Sequence, residues 1–127
     1  MAYGNFILDK GYDADAAITI YRAVKVGTSV EGVTPVTALS DEVLGIAQFG
    51  VTAGELALGK GCSVRLEGIS EVEISAAIAR GARVGIIADG RVRTAAAGDR
   101  VIGVALAAGT NAGDRIPVRL NLPGPIA

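Results

Sequence analysis

Short segments in which apolar and polar residues alternate run along the chain from residue 17 onward. Val, Ile, Leu and Ala recur at every second position in segments such as 17–26 and 115–122, and turn-forming residues bound each segment. A period of two places the apolar side chains on one face of a β-strand. Asp89 and Gly90 suit a tight turn, so residues 83–94 are predicted to form a hairpin. The pattern predicts an all-β fold, a small compact β-barrel or β-sandwich with one or two short helices.

Two segments between the predicted strands carry helix signals. Thr52 and Glu55 have the spacing of a capping box, and Gly59 can end a helix in the left-handed conformation. These residues predict a short helix over 53–58. A serine at one end and a glycine at the other predict a second short helix over 75–81.

The two halves of the chain resemble each other. Residues 36–54 align with residues 93–113, and the tripeptide VRL follows in both halves, at 64–66 and 118–120. The identical pairs in this alignment include Asp41 with Asp99 and Gly45 with Gly103. The chain is therefore predicted to contain an internal pseudo-repeat, as in a pseudo-symmetric barrel or sandwich.

The segment 54–61, GELALGKG, matches seven of the eight positions of a phosphate-binding loop. Gly61 stands where such a loop needs a Ser or Thr hydroxyl for magnesium. A phosphate loop also leaves a strand and begins a helix, whereas here the predicted helix comes first and a strand follows. We therefore interpret Lys60 as a solvated turn lysine and keep a nucleotide-using enzyme built around it as a third hypothesis.

Residue types that most enzyme chemistry needs are missing. The chain has no histidine and a single cysteine, Cys62, which excludes histidine-based triads, most zinc sites and an intrachain disulfide. Glu71 and Glu73 share one face of a predicted strand, and Asp13 and Asp15 lie in a polar segment. Neither pair has the further ligands of a metal site at a fitting spacing. We predict no catalytic residue, no metal site and no cofactor, and we expect Cys62 in the core.

Charge and aromatic content argue against several kinds of partner. The chain carries 12 Lys and Arg against 13 Asp and Glu, without a basic run to follow a nucleic-acid backbone. Few aromatic residues are available for stacking on bases. No apolar run approaches the roughly 18 residues of a membrane helix, and the start lacks a signal-peptide pattern. We expect a soluble, unexported protein with no nucleic-acid, membrane or small-molecule partner.

Three regions are predicted from these patterns. Residues 1–16 hold three of the five aromatic residues and form a predicted N-terminal arm outside the repeated strands. Residues 17–122 form the β-rich domain, and residues 123–127 form an extended C-terminal tail. The arm can pack on its own barrel, on a neighbouring subunit or on a larger surface, and the sequence leaves these alternatives open.

Three long segments resemble the small head decoration proteins of bacteriophages and prophages, also called capsid cement proteins. The resemblance covers residues 5–26, 33–73 and 98–120, and rests on the order and spacing of strand and turn patterns rather than on a catalytic signature. It implies a β-rich structural protein, not an enzyme, that is commonly a homotrimer. It also implies a place on the outer surface of the assembled head, where the protein clamps neighbouring copies of the major capsid protein after synthesis in the host cytoplasm.

We expect the apolar part of the arm to make the contact with the capsid. The residues expected there are Tyr3, Phe6, Ile7 and Leu8. A cytosolic β-barrel that binds a small ligand or a carbohydrate is the second hypothesis. That hypothesis predicts a defined pocket and a monomer or dimer, whereas the decoration hypothesis predicts a trimer.

Overall fold

The computed structural model describes residues 8–122 and 124–127, and it is almost entirely β-structure. The elements of the first half are β1 (Leu8–Ala14), β2 (Ala23–Val26), β3 (Gly32–Pro35), β4 (Gly45–Ala47), α1 (Ala53–Ala57) and β5 (Gly61–Glu67). The elements of the second half are β6 (Ile69–Glu73), β7 (Arg83–Ile86), β8 (Val92–Thr94), β9 (Val101–Ala105) and β10 (Arg115–Leu120). The predicted all-β fold class is confirmed.

The strands of the first half form a closed barrel in the order β1-β3-β2-β4-β5. The barrel closes because β1 pairs with two strands, antiparallel with β5 and parallel with β3. The parallel pairing is short and joins Asp13 to Gly32 and Ala14 to Val33. We call this barrel, with its helix, the first unit.

The strands of the second half repeat this arrangement, and we call them the second unit. Their order is β6-β10-β9-β7-β8, which is the order of the first unit when β6 stands for β1 and β8 for β3. An isolated parallel bridge joins Ile74 to Val92, so the outer strands meet where β1 meets β3 in the first unit. The predicted pseudo-repeat is therefore a repeat of the whole five-strand topology.

The repeat extends to single backbone positions. A Cβ atom added to Gly45 would overlap the carbonyl oxygen of Arg65, and one added to Gly103 would overlap that of Arg119, the matching arginine of the second unit. The chain turns through a left-handed backbone at Tyr21 in the first unit and at Gly81 in the second, with φ of 60° and 87°. The Tyr21 amide donates to the Ala47 carbonyl and the Gly81 amide donates to the Ala105 carbonyl. These two alanines also occupy matching positions of the repeat.

The first predicted helix is confirmed as α1. The Thr52 hydroxyl accepts from the Glu55 amide, and the Glu55 carboxylate accepts from the Thr52 amide, which completes the predicted capping box. Gly59 follows the helix with a φ of 78°, as its left-handed role requires.

The prediction of a second helix over 75–81 is wrong. Ile78 instead forms an antiparallel bridge with Gly109 in the loop after β9, and Ile18 bridges Val51 at the equivalent place in the first unit. The Ser75 amide and hydroxyl both donate to the Val92 carbonyl rather than capping a helix. Tertiary pairing of the repeat thus overrides a local helix signal.

The hairpin predicted over 83–94 is present, since β7 pairs antiparallel with β8 from Val84↔Thr94 to Ile86↔Val92. Gly90 in its turn has a φ of 87°. The turn is longer than two residues, because the Ile87 amide donates to the Arg91 carbonyl.

The predicted boundary of the N-terminal arm needs correction. Residues 8–14 do not lie outside the repeated strands, because they form β1, whose pairing with β5 runs from Leu8↔Glu67 to Asp13↔Gly61. The sequence missed this strand because it alternates weakly and carries Asp9, Lys10 and Asp13. Residues 1–7 lie outside the described part of the chain.

The last residues lie along the chain's own second unit. Ile126 forms an antiparallel bridge with Arg100, and the Val101 amide donates to the Pro125 carbonyl at 2.8 Å. The described residues of the predicted C-terminal tail, 124–127, therefore pair with their own chain. They pair with Asp99, Arg100 and Val101, where β9 begins.

Two apolar clusters form the core. One fills the first barrel and consists of residues of the first unit alone, among them Val24, Val33 and Val64. The other fills the second unit and also takes in Ala23, Val36, Val43 and Ile46 from the first unit. This shared cluster joins the two units by apolar packing.

Candidate docking surface

Most of the expected capsid-contact residues cannot be placed from the described residues. Tyr3, Phe6 and Ile7 lie outside them, and Leu8 is the first residue that the structure describes. Leu8 begins β1 and leaves 43% of its surface exposed. Its surroundings therefore define the place where the N-terminal segment enters the fold.

An apolar groove of about 540 Å³ opens at this place. It lies at one end of the first barrel, where β1 and β4 begin and β2 and β5 end. Its apolar lining includes Leu8, Val26, Leu44, Leu66 and Leu122. Val26 is 69% exposed, although valine is one of the residue types most often buried. The groove is an apolar surface that the described residues leave open to solvent.

A smaller depression of about 230 Å³ continues the groove, because both are lined by Val26 and Leu44. Lys10 lines this depression and forms an ion pair with the Glu31 carboxylate. Its Nζ atom also lies over the Tyr12 ring, 4.4 Å from the ring centroid. The hydrogen bond to Glu31 raises the pKa of Lys10. The depression therefore holds a charge pair that is already satisfied.

The rim of the groove is charged, and its one lysine has a partner. The Lys25 Nζ atom lies 2.9 Å from the Asp41 carboxylate and 3.1 Å from the Thr37 hydroxyl. The Thr37 amide, followed by Lys25, lowers the pKa of Asp41 to about 2. Glu42 and Glu67, also on the rim, form no ion pair among the described residues. The groove is thus an apolar floor with a weakly acidic edge.

The equivalent positions of the second unit are covered. Ile86 corresponds to Val26 and Ile102 to Leu44 by strand pairing, and both isoleucines have no exposed surface. Both isoleucines lie in the shared cluster, which also contains Val43. Leu122 packs against this cluster. Among the described residues, the repeat therefore covers one of its two matching surfaces and leaves the other open.

The other residues singled out from the sequence take structural roles. Lys60 donates to the Glu55 carboxylate at 2.8 Å and to the Gly50 carbonyl at 3.2 Å, so it fixes a turn. The order of elements around it is α1 and then β5, the reverse of a phosphate loop. Cys62 is buried in the first barrel as expected, and burial raises the pKa of its thiol.

The two carboxylate pairs do not come together as metal sites. Glu73 accepts two hydrogen bonds from Arg22, at 3.0 and 3.2 Å, while the side chain of Glu71 remains exposed on the same strand. Asp15 accepts from the amides of Thr28 and Ser29 and so fixes the β2–β3 turn. Across residues 8–122 and 124–127, no three potential ligands gather closely enough to hold a metal ion.

The sequence did not reveal an internal ion pair that the structure shows. Arg93 binds the fully buried carboxylate of Asp99 through two hydrogen bonds of 2.8 and 2.9 Å. This arginine, followed by the Ala96 amide, lowers the pKa of Asp99. The matching of Asp99 with Asp41 was the available signal, since both carboxylates accept from backbone amides at the turn before the fourth strand of a unit.

In the described part of the chain, no helix has the length and apolar character needed to cross a bilayer. The fold and the groove together define the class: a duplicated small β-domain with an apolar surface that the described residues leave open, in which Lys60, Cys62 and the carboxylate pairs serve as turn, core and strand residues.

The particular family follows from comparison with known proteins. The chain belongs to the phage cement protein family, whose model matches residues 3–120. Membership gives it a structural role in phage capsid decoration as a component of the virion, and a structural family favours a non-enzymatic role.

A solved structure has a similar fold. The N base of the head fiber gp8.5 of bacteriophage phi29 matches with a TM-score of 0.69 and 14% sequence identity, over 96% of this chain and 100% of that one. At this identity the likeness concerns the fold. No curated protein sequence is similar enough to this chain to count as a match.

Proposed function

We propose that the protein binds the outer surface of an assembled phage head as a homotrimer and bridges neighbouring copies of the major capsid protein. The observation that carries this proposal is the match of residues 3–120 to a family of cement proteins, together with an apolar groove at the start of β1 that the described residues leave open. Three copies of a weak contact in one trimer would bind a repeating lattice with strong avidity.

The contact itself is proposed to involve Tyr3, Phe6, Ile7 and Leu8. The support comes from Leu8, which is exposed and lines the groove. The preceding residues carry no charged side chain. Aromatic side chains at the centre of an interface commonly carry most of its binding energy.

The ligand-binding barrel has less support from the structure. The interior of the first barrel is packed with buried apolar side chains, including Val24, Val33 and Val64. The groove lies at the end of this barrel and is open to solvent rather than enclosed by it. Such a surface suits another macromolecule better than a small ligand, whose pocket normally buries most of it.

The test uses the purified chain and phage heads that lack it. Light scattering after size-exclusion chromatography is expected to give a mass about three times the 12.8 kDa of the chain. Sedimentation with heads should then show binding. Tyr3→Ala is expected to weaken it by at least about tenfold, the loss typical of an aromatic interface anchor.

Phe49→Ala is the matched control for this binding test. Phe49 is an aromatic residue with 57% of its surface exposed, and its carbonyl accepts from Cys62, at the opposite end of β5 from Leu8. Its loss is expected to leave head binding unchanged. A monomer that does not sediment with heads, or equal losses in the two variants, would contradict the proposal.

A further inference from the structure

A row of paired residues crosses the outer face of the second unit. Strand pairing places Arg83 of β7 opposite Val104 of β9, and Val104 opposite Arg119 of β10. Directly paired residues point to the same side of a sheet. Both arginines are exposed, and so is 38% of the surface of Val104. Because Val84 and Val118, the next residues on two of these strands, are fully buried, the row forms an outward surface with an apolar centre between two cations.

The arginines of this row have no carboxylate partner in the described part of the chain. Neither Arg83 nor Arg119 forms an ion pair there, and Glu71, which shares this face on the neighbouring strand β6, is not paired with either. A third exposed arginine, Arg80, donates through its Nε atom to the Leu106 carbonyl just after β9. The face therefore carries guanidinium groups that remain able to bind carboxylates through paired hydrogen bonds.

The matching row of the first unit shows what such a row can do. Ala23, Ile46 and Arg65 pair in the same order across β2, β4 and β5. Ala23 and Ile46 are completely buried, because they pack against the second unit in the shared cluster. Arg65 binds the Asp9 carboxylate through two hydrogen bonds of 2.9 and 3.1 Å. In the first unit, this row is a packing surface whose arginine holds a carboxylate.

The second unit keeps the arginine of this row and lacks the carboxylate. Ile69 of β6 pairs with Arg119 at the place where Asp9 of β1 pairs with Arg65. Val104 takes the place of the buried Ile46 and remains partly exposed. A partner that covers the valine and supplies carboxylates would give the second row the contacts that the first row already has.

We propose that this row docks an acidic surface of the major capsid protein, with Arg83 and Arg119 binding its carboxylates and Val104 covered between them. This step rests on the proposed head binding. The shell fits this role better than a second copy of the chain, whose Glu42 and Glu67 lie on the rim of the groove already given to the head contact.

The row and the groove are separate surfaces, because none of Arg83, Val104 and Arg119 lines the groove. One chain then holds the shell through an apolar contact on its first unit and a charged contact on its second. Two contacts of this kind allow a single copy to bridge two neighbouring capsid proteins, and joining them in one chain strengthens the binding of each.

Sedimentation with heads measures the contribution of the row. The double variant Arg83→Gln with Arg119→Gln removes two charges from exposed side chains that have no ion pair among the described residues, so the fold is retained. We expect it to bind heads at least about tenfold more weakly than the parent protein, as the loss of paired interface charges does. Added salt should weaken the parent protein more than the variant, because it screens the charges that the variant lacks.

The double variant Lys60→Gln with Arg91→Gln is the matched control. It removes the same charge away from the row, since Lys60 pairs with Glu55 and Arg91 with Asp89. It should bind heads as the parent protein does. Equal losses in the two double variants, or no loss in the arginine variant, would overturn the proposal and leave head binding itself standing. A parent protein that does not bind heads would refute the proposed function and this docking partner together.

Carbodiimide coupling identifies the partner of the row. Arg119→Lys places an amine there, and the reagent joins an amine to a carboxylate that is in direct contact with it. In decorated heads, mass spectrometry is expected to find this amine joined to an acidic residue of the major capsid protein. Coupling only to a second copy of the chain, or no coupling in heads that the variant decorates, would overturn the proposal.

Discussion

At the scale of single residues, glycine at two matching positions allows the strands of each unit to approach. Gly45 and Gly103 lie beneath the carbonyls of Arg65 and Arg119, and the Val64 Cγ1 atom would lie 2.6 Å from a Cβ at Gly45. The nearest atom to the added Cβ is in each case a backbone carbonyl oxygen of a neighbouring strand. Unlike the end of a flexible side chain, it cannot move aside to make room. These glycines are therefore required by packing rather than by backbone conformation.

We predict that Gly45→Ala and Gly103→Ala each lower the free energy of unfolding by at least about 2 kcal/mol, as overpacking in a tight core does. Gly11→Ala is the control, since Gly11 lies in β1 with no atom within 4 Å of an added Cβ. It should change the stability by less than about 0.5 kcal/mol. Urea denaturation of the three variants checks this, and equal losses in all of them would contradict it.

A second residue-scale feature is the left-handed backbone at Tyr21, where the second unit has Gly81. A bulky residue with positive φ is uncommon and is held in place by its surroundings. The Tyr21 ring lies under the Arg115 guanidinium at 4.7 Å, and its carbonyl accepts from the Glu73 amide. Tyr21 thus links the first unit to strands of the second.

At the scale of elements, the short strands are held by loops whose backbone amides are bound by carboxylates. Asp41 and Asp99 bind amides in the loop between the third and fourth strands of their units, and Asp15 and Asp114 do the same in other turns. Each carboxylate supplies partners for amides that no strand can pair. The conformation of these loops therefore depends on the ionised form of these four aspartates.

We predict that stability falls as the pH drops from about 4 toward about 2. The pKa of Asp41 is about 2 in the folded protein and that of Asp99 is also lowered, whereas aspartate in an unfolded chain titrates near about 3.9. A lowered folded-state pKa gives stability that is fully present above the unfolded value and is lost as the pH falls through the folded one. Thermal melts across this range measure the effect.

The Asp41→Asn variant should lose part of this pH dependence, because its amide side chain does not titrate. Glu71→Gln is the control, since Glu71 is exposed and makes no side-chain hydrogen bond or ion pair among the described residues. Its melts should follow those of the parent protein. A parent melting temperature that is constant from pH 4 to pH 2 would rule out the role given to Asp41.

At the scale of the whole molecule, the two units share a topology, but only the first has an apolar cluster built from its own residues alone. The cluster inside the first barrel contains residues of the first unit alone. The shared cluster draws Ala23, Val36, Val43 and Ile46 from the first unit into the core of the second. The second unit is therefore completed by the first.

We predict that residues 69–127 expressed alone do not fold, because part of their core is missing and a domain of about 60 residues is marginal in any case. Residues 1–68 keep a complete cluster and should retain β-structure. Circular dichroism and the cooperativity of thermal unfolding compare the two fragments with the whole chain. A cooperative transition in the 69–127 fragment would show that the second unit needs no support.

Much of the fold could be predicted from the sequence where local signals and tertiary contacts agree. Alternation gave the all-β class, and the spacing of Thr52 and Glu55 gave α1, because a capping box satisfies its own amides locally. The second helix failed because Ile78 pairs with Gly109, a partner about thirty residues away that no local signal announces. β1 was missed because charged residues such as Asp9 and Lys10, both exposed, interrupt the alternation of apolar and polar positions along the strand.

The candidate site was predictable only in part. The sequence pointed to an apolar N-terminal stretch that ends in Leu8, and the structure places Leu8 in the lining of a groove. It gave no indication of Val26, Leu44 or Leu66 as neighbours of Leu8, because these residues come from separate strands. Nor did it show that the matching surface of the second unit would be closed.

The sequence by itself determined the fold class, the pseudo-repeat and the absence of histidine chemistry, because composition and short-range periodicity are written directly in the order of residues. Only the tertiary structure decided that β1 closes a barrel, that the tail pairs with the start of β9, and that the described residues cover only one of two equivalent apolar ends. These outcomes depend on which distant strands meet. Closure and burial are properties of the assembled chain, so no local pattern contains them.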